Sequence, residues 1–358
     1  METFRSEAFQ RAGYAFDIFC VCSWNDGYDG EIARLGGSRT SCLEGRSHSL
    51  LKKLLNGVRG FNCALVNGKY DVVHVNVTNG LGLVYTWLAK QHGIPIRIAH
   101  AHNASFADPG VGGIVKRIGH LFGRVLFSSS PTRRIACSDA AGRFSFGLWP
   151  FDTVVNGIDS DRFRFDAVAR AEIRDELGAP SDAVIIGGMG RIDEGKNPIF
   201  LVNVFSKYHQ KHQNSMCVLV GSGALENAVR AEARRLGIDD ALVLVPATTC
   251  PERYYAAFDV LVMPSVSEGF GIAAVEAQCS GLPVVSSDAL SEDVRVATDI
   301  LLRLSLTLGV DGWVHALESV TSAAPLDRAR WTKVVAGSQL DCQVMAQRFC
   351  SLYEDGAC

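Results

Sequence analysis

Two acidic residues flank a glycine-rich turn in the segment Ser267–Gln278, which reads SEGFGIAAVEAQ. The apolar run Val260–Pro264 before it predicts a buried strand, and Ile272–Cys279 has the composition of a helix. Glu268 precedes that helix and Glu276 lies within it, so the two are not an acid/base pair acting across one bond. Carboxylates accept hydrogen bonds from hydroxyl groups, which sugars and riboses present in neighbouring pairs.

The turn between these acids is suited to an anion. Gly269 and Gly271 allow a sharp turn and a close approach of a ligand to the backbone. The amides of Phe270, Gly271 and Ile272 would point out of the helix N-terminus, where they attract negative charge. The backbone amides could bind a phosphate, and the acids on either side of them could bind hydroxyl groups. This combination predicts a nucleotide-sugar site. An ordinary strand–turn–helix with surface acids is the alternative, and this segment alone does not decide between them.

Two cations lie on a second glycine-rich loop. The segment Gly188–Pro198 reads GMGRIDEGKNP and follows the predicted strand Ala183–Met189. Arg191 and Lys196 at the carboxyl end of a strand would bind a diphosphate and stabilise the charge on a departing one. The loop lacks the Walker pattern. A solvated loop that precedes a helix beginning at Pro198 is the alternative.

Two further motifs carry weaker signals. Val220–Ala224 reads VGSGA and is a glycine turn between a strand and a helix, for which a structural role is the leading interpretation. His100 and His102 end the predicted strand Pro95–His100, where histidines can reach a ligand. A metal pair would need a third ligand, and none follows at useful spacing.

The segment Gly113–Phe127, GIVKRIGHLFGRVLF, has the pattern of a basic amphipathic helix. One helical face carries apolar side chains, namely Ile114, Ile118, Leu121, Phe122 and Val125. The basic side chains fall mostly elsewhere, namely Lys116, Arg117, His120 and Arg124. Such a helix can lie on a membrane surface. A core helix with a solvated basic face is the alternative.

Composition limits the class of protein. The chain has 358 residues, of which 47% are hydrophobic and 20% charged, as in a folded α/β protein of two domains. A net charge of −3 gives no case for nucleic acid as a partner. The charge is unevenly distributed, with a basic first part and an acidic second part. Residues 1–160 contain 17 lysines and arginines and 12 acids, whereas residues 161–358 contain 18 lysines and arginines and 26 acids. The 11 cysteines lack metal-ligand spacing, and with no signal-peptide pattern they predict a cytoplasmic protein with reduced thiols.

Short β-branched runs alternate with helical patterns along the chain, which predicts parallel sheets with helical crossovers. We expect two Rossmann-like, doubly wound domains, at residues 1–160 and 161–340, that face each other across a cleft. We expect residues 341–358 to form a helix that packs back on the first domain. The predicted strands are Phe16–Cys22, Asp71–Asn76, Pro95–His100, Arg134–Ser138, Ala183–Met189, Met216–Val220, Ala241–Val245, Val260–Pro264 and Pro283–Ser287.

Taken together, these motifs resemble the family 4 glycosyltransferases, a retaining group with the GT-B fold, and most closely the bacterial enzymes that build capsular or exopolysaccharide. Glu268 and Glu276, with seven residues between them, match the family's E-x7-E signature. Arg191 and Lys196 lie in the two pairs, Gly190-Arg191 and Lys196-Asn197, that match its diphosphate-binding motif. Three further segments also match the family, namely Ile98–Asn103, Asn156–Asp159 and Val220–Gly223. The order and spacing of the family's motifs are kept from about residue 2 to residue 353.

The resemblance implies roles for these residues. Glu276 would hold the ribose hydroxyls, and Glu268 would contact the transferred sugar. Arg191 and Lys196 would bind the diphosphate of a UDP- or GDP-sugar. The donor site would also include Gly190, Gly221, Gly223, Gly269, Phe270, Gly271 and Ile272. His102 would lie beside the reacting sugar and join Glu268, Arg191 and Lys196 as catalytic residues.

The same resemblance implies no metal and no cofactor besides the donor, since arginine and lysine would replace the metal as the charge clamp. It implies retention by front-face attack, transfer of a hexosyl or N-acetylhexosaminyl group to a growing, lipid-linked glycan, and a site of action at the inner face of the cytoplasmic membrane. Met1–Phe4 aligns just after the family's first strand and Gly-Gly loop, so we expect that strand to be missing from these residues. A sugar-nucleotide-binding protein without turnover, or a sugar-nucleotide epimerase, are the alternatives.

Overall fold

The computed structural model describes residues 2–23, 28–45, 49–106, 111–297, 299–323 and 327–354, which fold into two compact units. The N-terminal unit comprises Met1–Val155 together with Cys342–Cys358, and the C-terminal unit comprises Asn156–Asp341. Each unit has parallel β-sheet covered by helices. The two-domain α/β architecture expected from the alternating pattern is therefore confirmed.

In its described residues, the N-terminal unit begins with helices and contains six strands. Its strands are β1 Asp17–Ser23, β2 Ser38–Glu44, β3 Val72–Val77, β4 Ile96–Ala101, β5 Arg133–Ala136 and β6 Asp152–Thr153. Its helices up to residue 146 are α1 Glu2–Arg5, α2 Glu7–Ala12, α3 Asp29–Arg34, α4 Leu50–Asn67, α5 Val84–Gln91, α6 Val111–Phe127 and α7 Asp139–Phe146. A 3₁₀ turn, Gly80–Leu83, precedes α5.

The six strands of this unit form two separate parallel sheets, β1-β2 and β3-β4-β5-β6. Among the residues that the structure describes, β1 pairs only with β2, and β3 pairs only with β4. Tyr70 before β3 donates a hydrogen bond of 3.0 Å to Asp17 of β1, so the two open edges lie near each other at that end. Phe61 of α4 packs on Phe19 of β1 and on Tyr85 of α5. Within the described residues, β1 and β3 therefore each have one edge without a paired strand.

The C-terminal unit is a single doubly wound sheet with helices on both faces. Its strands are β7 Val184–Met189, β8 Ser215–Val220, β9 Leu242–Val245, β10 Val260–Met263, β11 Val284–Ser287 and β12 Leu301–Leu304, in the order β12-β11-β10-β7-β8-β9. Its helices are α8 Ala167–Glu176, α9 Pro198–Lys211, α10 Glu226–Leu236, α11 Pro251–Ala257, α12 Ile272–Cys279, α13 Gly309–Thr321 and α14 Arg330–Val335. The strand order reverses between β7 and β10, and open α/β sheets bind ligands at that point.

The packing of the C-terminal core accounts for a glycine in its central strand β7. Trp313, Phe205 and Tyr208 are almost fully buried beneath the sheet. A side chain at Gly187 of β7 would collide with the ring of Phe258. The glycine therefore lets that ring pack directly against β7.

The last helix, α15 Cys342–Glu354, returns to the N-terminal unit. Phe349 and Leu352 are buried in one cluster with Ile96 and Ile98 of β4. The chain thus crosses between the two units twice, near residues 155 and 341.

Helix α6 exposes its apolar face to solvent, whereas a core helix buries it. Its apolar side chains face solvent, while Gly113, His120 and Gly123 are buried. The alternative of a core helix with a solvated basic face is therefore wrong. The reason is steric, since a side chain at Gly123 would collide with the backbone of Gly80.

Candidate functional site

Two loops of the C-terminal unit meet where the strand order reverses. One follows β7 and the other follows β10, and these strands are hydrogen-bonded neighbours. Asn197 has a left-handed backbone conformation (φ 53°), and its side-chain amide donates to the carbonyl of Pro264 at 3.2 Å. The amide of Val266 donates to the carbonyl of Gly195 at 2.9 Å. These bonds hold the two loops side by side.

The same contact joins two side chains that the sequence analysis assigned separately. Lys196 Nζ lies 2.6 Å from Glu268 Oε1, and Ser265 Oγ donates to the same oxygen at 2.8 Å. The side chain of Glu268 is only 8% exposed and that of Lys196 25% exposed. A carboxylate this buried requires such partners. The sequence analysis missed Ser265, whose position directly after the buried strand was the available signal.

Arg191 lies in the same loop, with its side chain 73% exposed. It forms an ion pair of 3.1 Å with Asp193, and Asp193 Oδ1 also accepts from the amide of Lys196 at 3.2 Å. Asp193 therefore shapes the turn that carries both cations. The exposure of Arg191 leaves its guanidinium able to rotate toward a ligand.

Three glycines allow this loop to pack against the turn after β8. Gly190 has φ 128° and Gly221 has φ 150°, which are conformations that side chains disfavour. A side chain at Gly221 would collide with the Gly190 carbonyl, and one at Gly223 with the carbonyl of Ile192. The amide of Gly223 donates to Glu226 at 2.7 Å. The packing thus accounts for Gly221 and Gly223, and their contact with a donor stays a prediction.

The turn before α12 has the form that the sequence predicted. Gly271 is left-handed (φ 100°), and the helix begins at Ile272. A side chain at Gly271 would collide with Leu290, which explains the requirement for glycine. The ring of Phe270 is buried, so this residue and Gly269 would reach a ligand through their backbone. Helix α12 thus begins nine residues after the last residue of β10, directly after this turn.

Glu276 on α12 is held by a residue that the sequence analysis did not single out. Tyr255 of α11 is fully buried, and its hydroxyl donates a hydrogen bond of 2.7 Å to Glu276 Oε2. Burial, and then the Glu276 charge, raise the pKa of Tyr255 well above its usual value. Tyr255 therefore stays a donor and orients the carboxylate. Its position in the short helix α11, which reads PERYYAA, gave no sequence signal for this contact.

The predicted histidines, His100 and His102, lie in the N-terminal unit at the carboxyl end of β4, and His74 lies within the neighbouring strand β3. His102 Nε2 is 2.8 Å from Asn76 Oδ1, and its ring lies 4.0 Å from that of His100. His100 Nδ1 is 3.2 Å from His74 Nε2, and His74 Nδ1 is 2.7 Å from the Tyr353 hydroxyl of α15. Burial lowers the pKa of His102 to about 4 and that of His74 to about 3. These rings are therefore neutral at physiological pH.

Within the C-terminal unit the structure brings Lys196 to Glu268 and Gly190 to Gly221. Glu276 contacts Tyr255, and His102 belongs to the other unit. A concave surface is lined by Gly190, Arg191, Lys196 and Ser265. A carboxylate, two cations and helix-terminal amides around one sheet end can bind a diphosphate and its hydroxyl-bearing groups.

Family models match both units of the chain. The model described as glycosyl transferases group 1 matches residues 169–297, and the one described as glycosyl transferase 4-like domain matches residues 6–152. The first match contains every predicted donor residue, and the second contains the histidines of β3 and β4.

Curated relatives are similar over most of the chain. EpsF of Bacillus subtilis (strain 168), named as a glycosyltransferase, is 31% identical over 302 residues, which cover 83% of this chain and 77% of that protein. D-inositol 3-phosphate glycosyltransferase 2 of Catenulispora acidiphila is 31% identical over 244 residues, 62% of this chain and 55% of its own length.

Solved structures share the fold at low identity. A glycosyltransferase from Rickettsia africae ESF-5 has a TM-score of 0.75 at 14% identity, over 99% of this chain and 93% of that one. Anabaena Alr3699/HepE in complex with UDP has a TM-score of 0.70 at 15% identity, over 95% of this chain and 92% of that one. The chain therefore belongs to the family 4 glycosyltransferases and has their two-domain GT-B fold.

Proposed function

We propose that this glycosyltransferase moves a sugar, with retention of anomeric configuration, from a UDP- or GDP-sugar to a growing, lipid-linked glycan. The donor would occupy the end of the sheet in the C-terminal unit. Arg191 and Lys196 would bind its diphosphate, Glu276 its ribose and Glu268 the transferred sugar. The Anabaena structure named above was solved with UDP, which supports a nucleotide-diphosphate donor.

The contact between Lys196 and Glu268 carries this proposal. It joins a cation and a carboxylate at the strand-order reversal, where doubly wound sheets bind nucleotides. An ammonium has three N–H groups and uses one for Glu268, so two remain for diphosphate oxygens. Lys196 can therefore bind both groups at once.

The two carboxylate oxygens of Glu268 would likewise bind different groups. The hydrogen bonds from Lys196 and Ser265 are both to Oε1, so in this proposal Oε2 accepts from sugar hydroxyls. The donor sugar would then lie beside its own diphosphate, as transfer requires.

The family resemblance implies the reaction step that we propose for this placement. The bond between the anomeric carbon and the β-phosphate oxygen breaks as the acceptor oxygen bonds to that carbon from the same face. The acceptor's proton passes to the departing phosphate, whose negative charge Arg191 and Lys196 stabilise. No carboxylate nucleophile is needed. His102, neutral at physiological pH, would hydrogen-bond the reacting sugar.

We assign the acceptor to the N-terminal unit. Residues 1–160 carry 17 lysines and arginines against 12 acids, which suits an anionic lipid-linked acceptor at the inner face of the cytoplasmic membrane. Exopolysaccharide or capsule synthesis would supply such an acceptor.

A donor panel tests the proposal without a known acceptor. The full chain is incubated with UDP- and GDP-linked hexoses and N-acetylhexosamines, and nucleotide release and binding are both measured. We expect binding of one nucleotide class and slow release from one sugar donor. Binding without release, even with lipid-linked glycan extract added, would favour the alternative of a protein without turnover. No binding of either nucleotide would contradict the donor site.

A further inference from the structure

Asn76 and His102 lie at the carboxyl ends of two neighbouring strands of the N-terminal unit. Asn76 is the last but one residue of β3 and is exposed, and His102 directly follows the last residue of β4. The backbone amide of His102 donates to the carbonyl of Val77 at 3.2 Å, which continues the pairing of the two strands by one residue. The backbone of the histidine is therefore fixed relative to Asn76.

The contact between the two side chains determines where the proton of His102 lies. Asn76 Oδ1 is 2.8 Å from His102 Nε2, and an amide oxygen can only accept a hydrogen bond. The Nε2 atom must therefore carry the proton. Burial lowers the pKa of His102 to about 4, so the ring is neutral at physiological pH and holds one proton. The other ring nitrogen, Nδ1, then has a lone pair that can accept a hydrogen bond.

The titratable groups around His102 come from four elements. On β4, the ring of His100 lies 4.0 Å from that of His102. His74 of β3 is bonded to His100, and Tyr353 of α15 is bonded to His74. After β5, Cys137 Sγ is 3.8 Å from the His102 carbonyl. Burial, and not a neighbouring carboxylate, thus sets the pKa of His102 among the described residues.

We propose that Asn76 is a positioning residue that fixes the Nε2–H tautomer of His102, so that Nδ1 accepts a hydrogen bond from a hydroxyl group of the transferred sugar. The inference rests on the proposed function, which places His102 beside the reacting sugar. The lone pair of Nδ1 discriminates between the groups of the donor. A sugar hydroxyl can donate to it, whereas the deprotonated oxygens of a diphosphate only accept.

A carboxylate in place of the amide tests this assignment. Asn76→Asp keeps an oxygen that accepts from Nε2–H, but its negative charge favours the imidazolium, whose protonated Nδ1 cannot accept from a hydroxyl. The midpoint below which nucleotide release is lost should therefore lie about one to three pH units higher than in wild type. Asn62→Asp is the matched control, because Asn62 Oδ1 is 2.8 Å from His92 Nε2 at the surface of the same unit. Its pH profile should match that of wild type.

A neutral variant separates the sugar from the nucleotide. Asn76→Ala removes the acceptor that fixes the tautomer, so the rate of nucleotide release should fall about threefold to tenfold near neutral pH. The predicted nucleotide-binding residues belong to the other unit, so UDP and GDP affinity should stay within about twofold of wild type. Release is measured without an acceptor. A loss of rate that occurs only when lipid-linked glycan is added would overturn the assignment of the hydroxyl to the transferred sugar.

NMR of the full chain with isotope-labelled histidines measures the tautomer without any donor. The His102 signals are those missing from His102→Ala. We expect the Nε2–H form in wild type and a higher protonation midpoint in Asn76→Asp. An Nδ1–H form in wild type, or an unchanged midpoint in the folded Asn76→Asp variant, would overturn the proposal. The expected tautomer in a chain that binds neither UDP nor GDP would instead contradict the proposed function, and with it the use of Nδ1.

Discussion

Lys196 and Glu268 lie 2.6 Å apart, on loops that follow two neighbouring strands of the C-terminal sheet. A partly buried ion pair contributes little net stability, because desolvation offsets the attraction. In the donor site that we propose, the pair would orient two groups for a substrate. The donor would complete the coordination of both side chains.

Lys196→Ala should abolish most transfer while the protein stays folded. Loss of a cation that stabilises the departing diphosphate should lower kcat about 100-fold, and it leaves Glu268 with Ser265 as its donor. Nucleotide release from the preferred donor, measured beside thermal unfolding, checks this. Glu194→Ala removes an exposed charge from the same loop and should stay within about twofold of wild type. Equal losses in both variants would mean that the loop is merely structural.

Tyr255→Phe should weaken nucleotide binding through Glu276. The variant keeps the ring and removes only the hydroxyl that holds the carboxylate, so affinity for the nucleotide should fall about fivefold to tenfold. Calorimetry on the folded variant measures this. Tyr254→Phe on the same helix is the matched control and should bind normally. If Tyr255→Phe lowers the unfolding temperature without any loss of affinity, the tyrosine serves packing alone.

His102→Ala should separate catalysis from donor binding. The histidine lies in the N-terminal unit, so its loss should leave UDP or GDP affinity within about twofold and lower transfer about tenfold or more. Single-turnover rates and calorimetry give the two quantities. His92→Ala, at an exposed histidine of the same unit, should change neither. A weaker nucleotide affinity with an unchanged rate would remove His102 from the catalytic set.

The buried histidines should make the N-terminal unit acid-sensitive. Burial lowers the pKa of His74 to about 3, whereas an unfolded histidine titrates near 6.5. Above about pH 6.5 both states are neutral and stability is complete; as the pH falls below that value only the unfolded state takes up the proton, so stability is lost. His74 alone should cost roughly 2 kcal/mol at pH 5. His74→Gln should reduce the loss of unfolding temperature between about pH 7.5 and pH 5, and His92→Gln should not; equal losses would contradict this assignment.

Much of the fold followed from the sequence because apolar strands alternate with amphipathic helices. The five predicted strands of the C-terminal unit are confirmed within one or two residues. Three strands were not predicted. Strand β2, Ser38–Glu44, is polar and pairs only with β1 in the described residues, so it lacks the apolar signature of a central strand. Strand β6 has only two residues, and β12 is a short strand at the sheet edge.

The site was predictable in its residue types and not in its contacts. Glycine and charge spacing identified Arg191, Lys196, Glu268 and Glu276 as chemistry-bearing residues. Their partners come from long-range packing, because 72 residues separate Lys196 from Glu268 and 21 separate Tyr255 from Glu276. For α6 the pattern defined two faces, but the steric fit of its glycines against Gly80 decided which face is exposed.

Calorimetry of UDP and GDP binding to wild type and to Glu276→Ala decides whether this carboxylate belongs to the donor site. If Glu276 holds the ribose, the substitution removes a charged hydrogen-bond acceptor. That loss should cost roughly 1.5–3 kcal/mol of binding free energy, equivalent to at least about tenfold in Kd. We expect one of the two nucleotides to bind wild type and to bind the folded variant at least about tenfold more weakly. Unchanged affinity for both nucleotides, or no binding of either by wild type, would contradict this assignment.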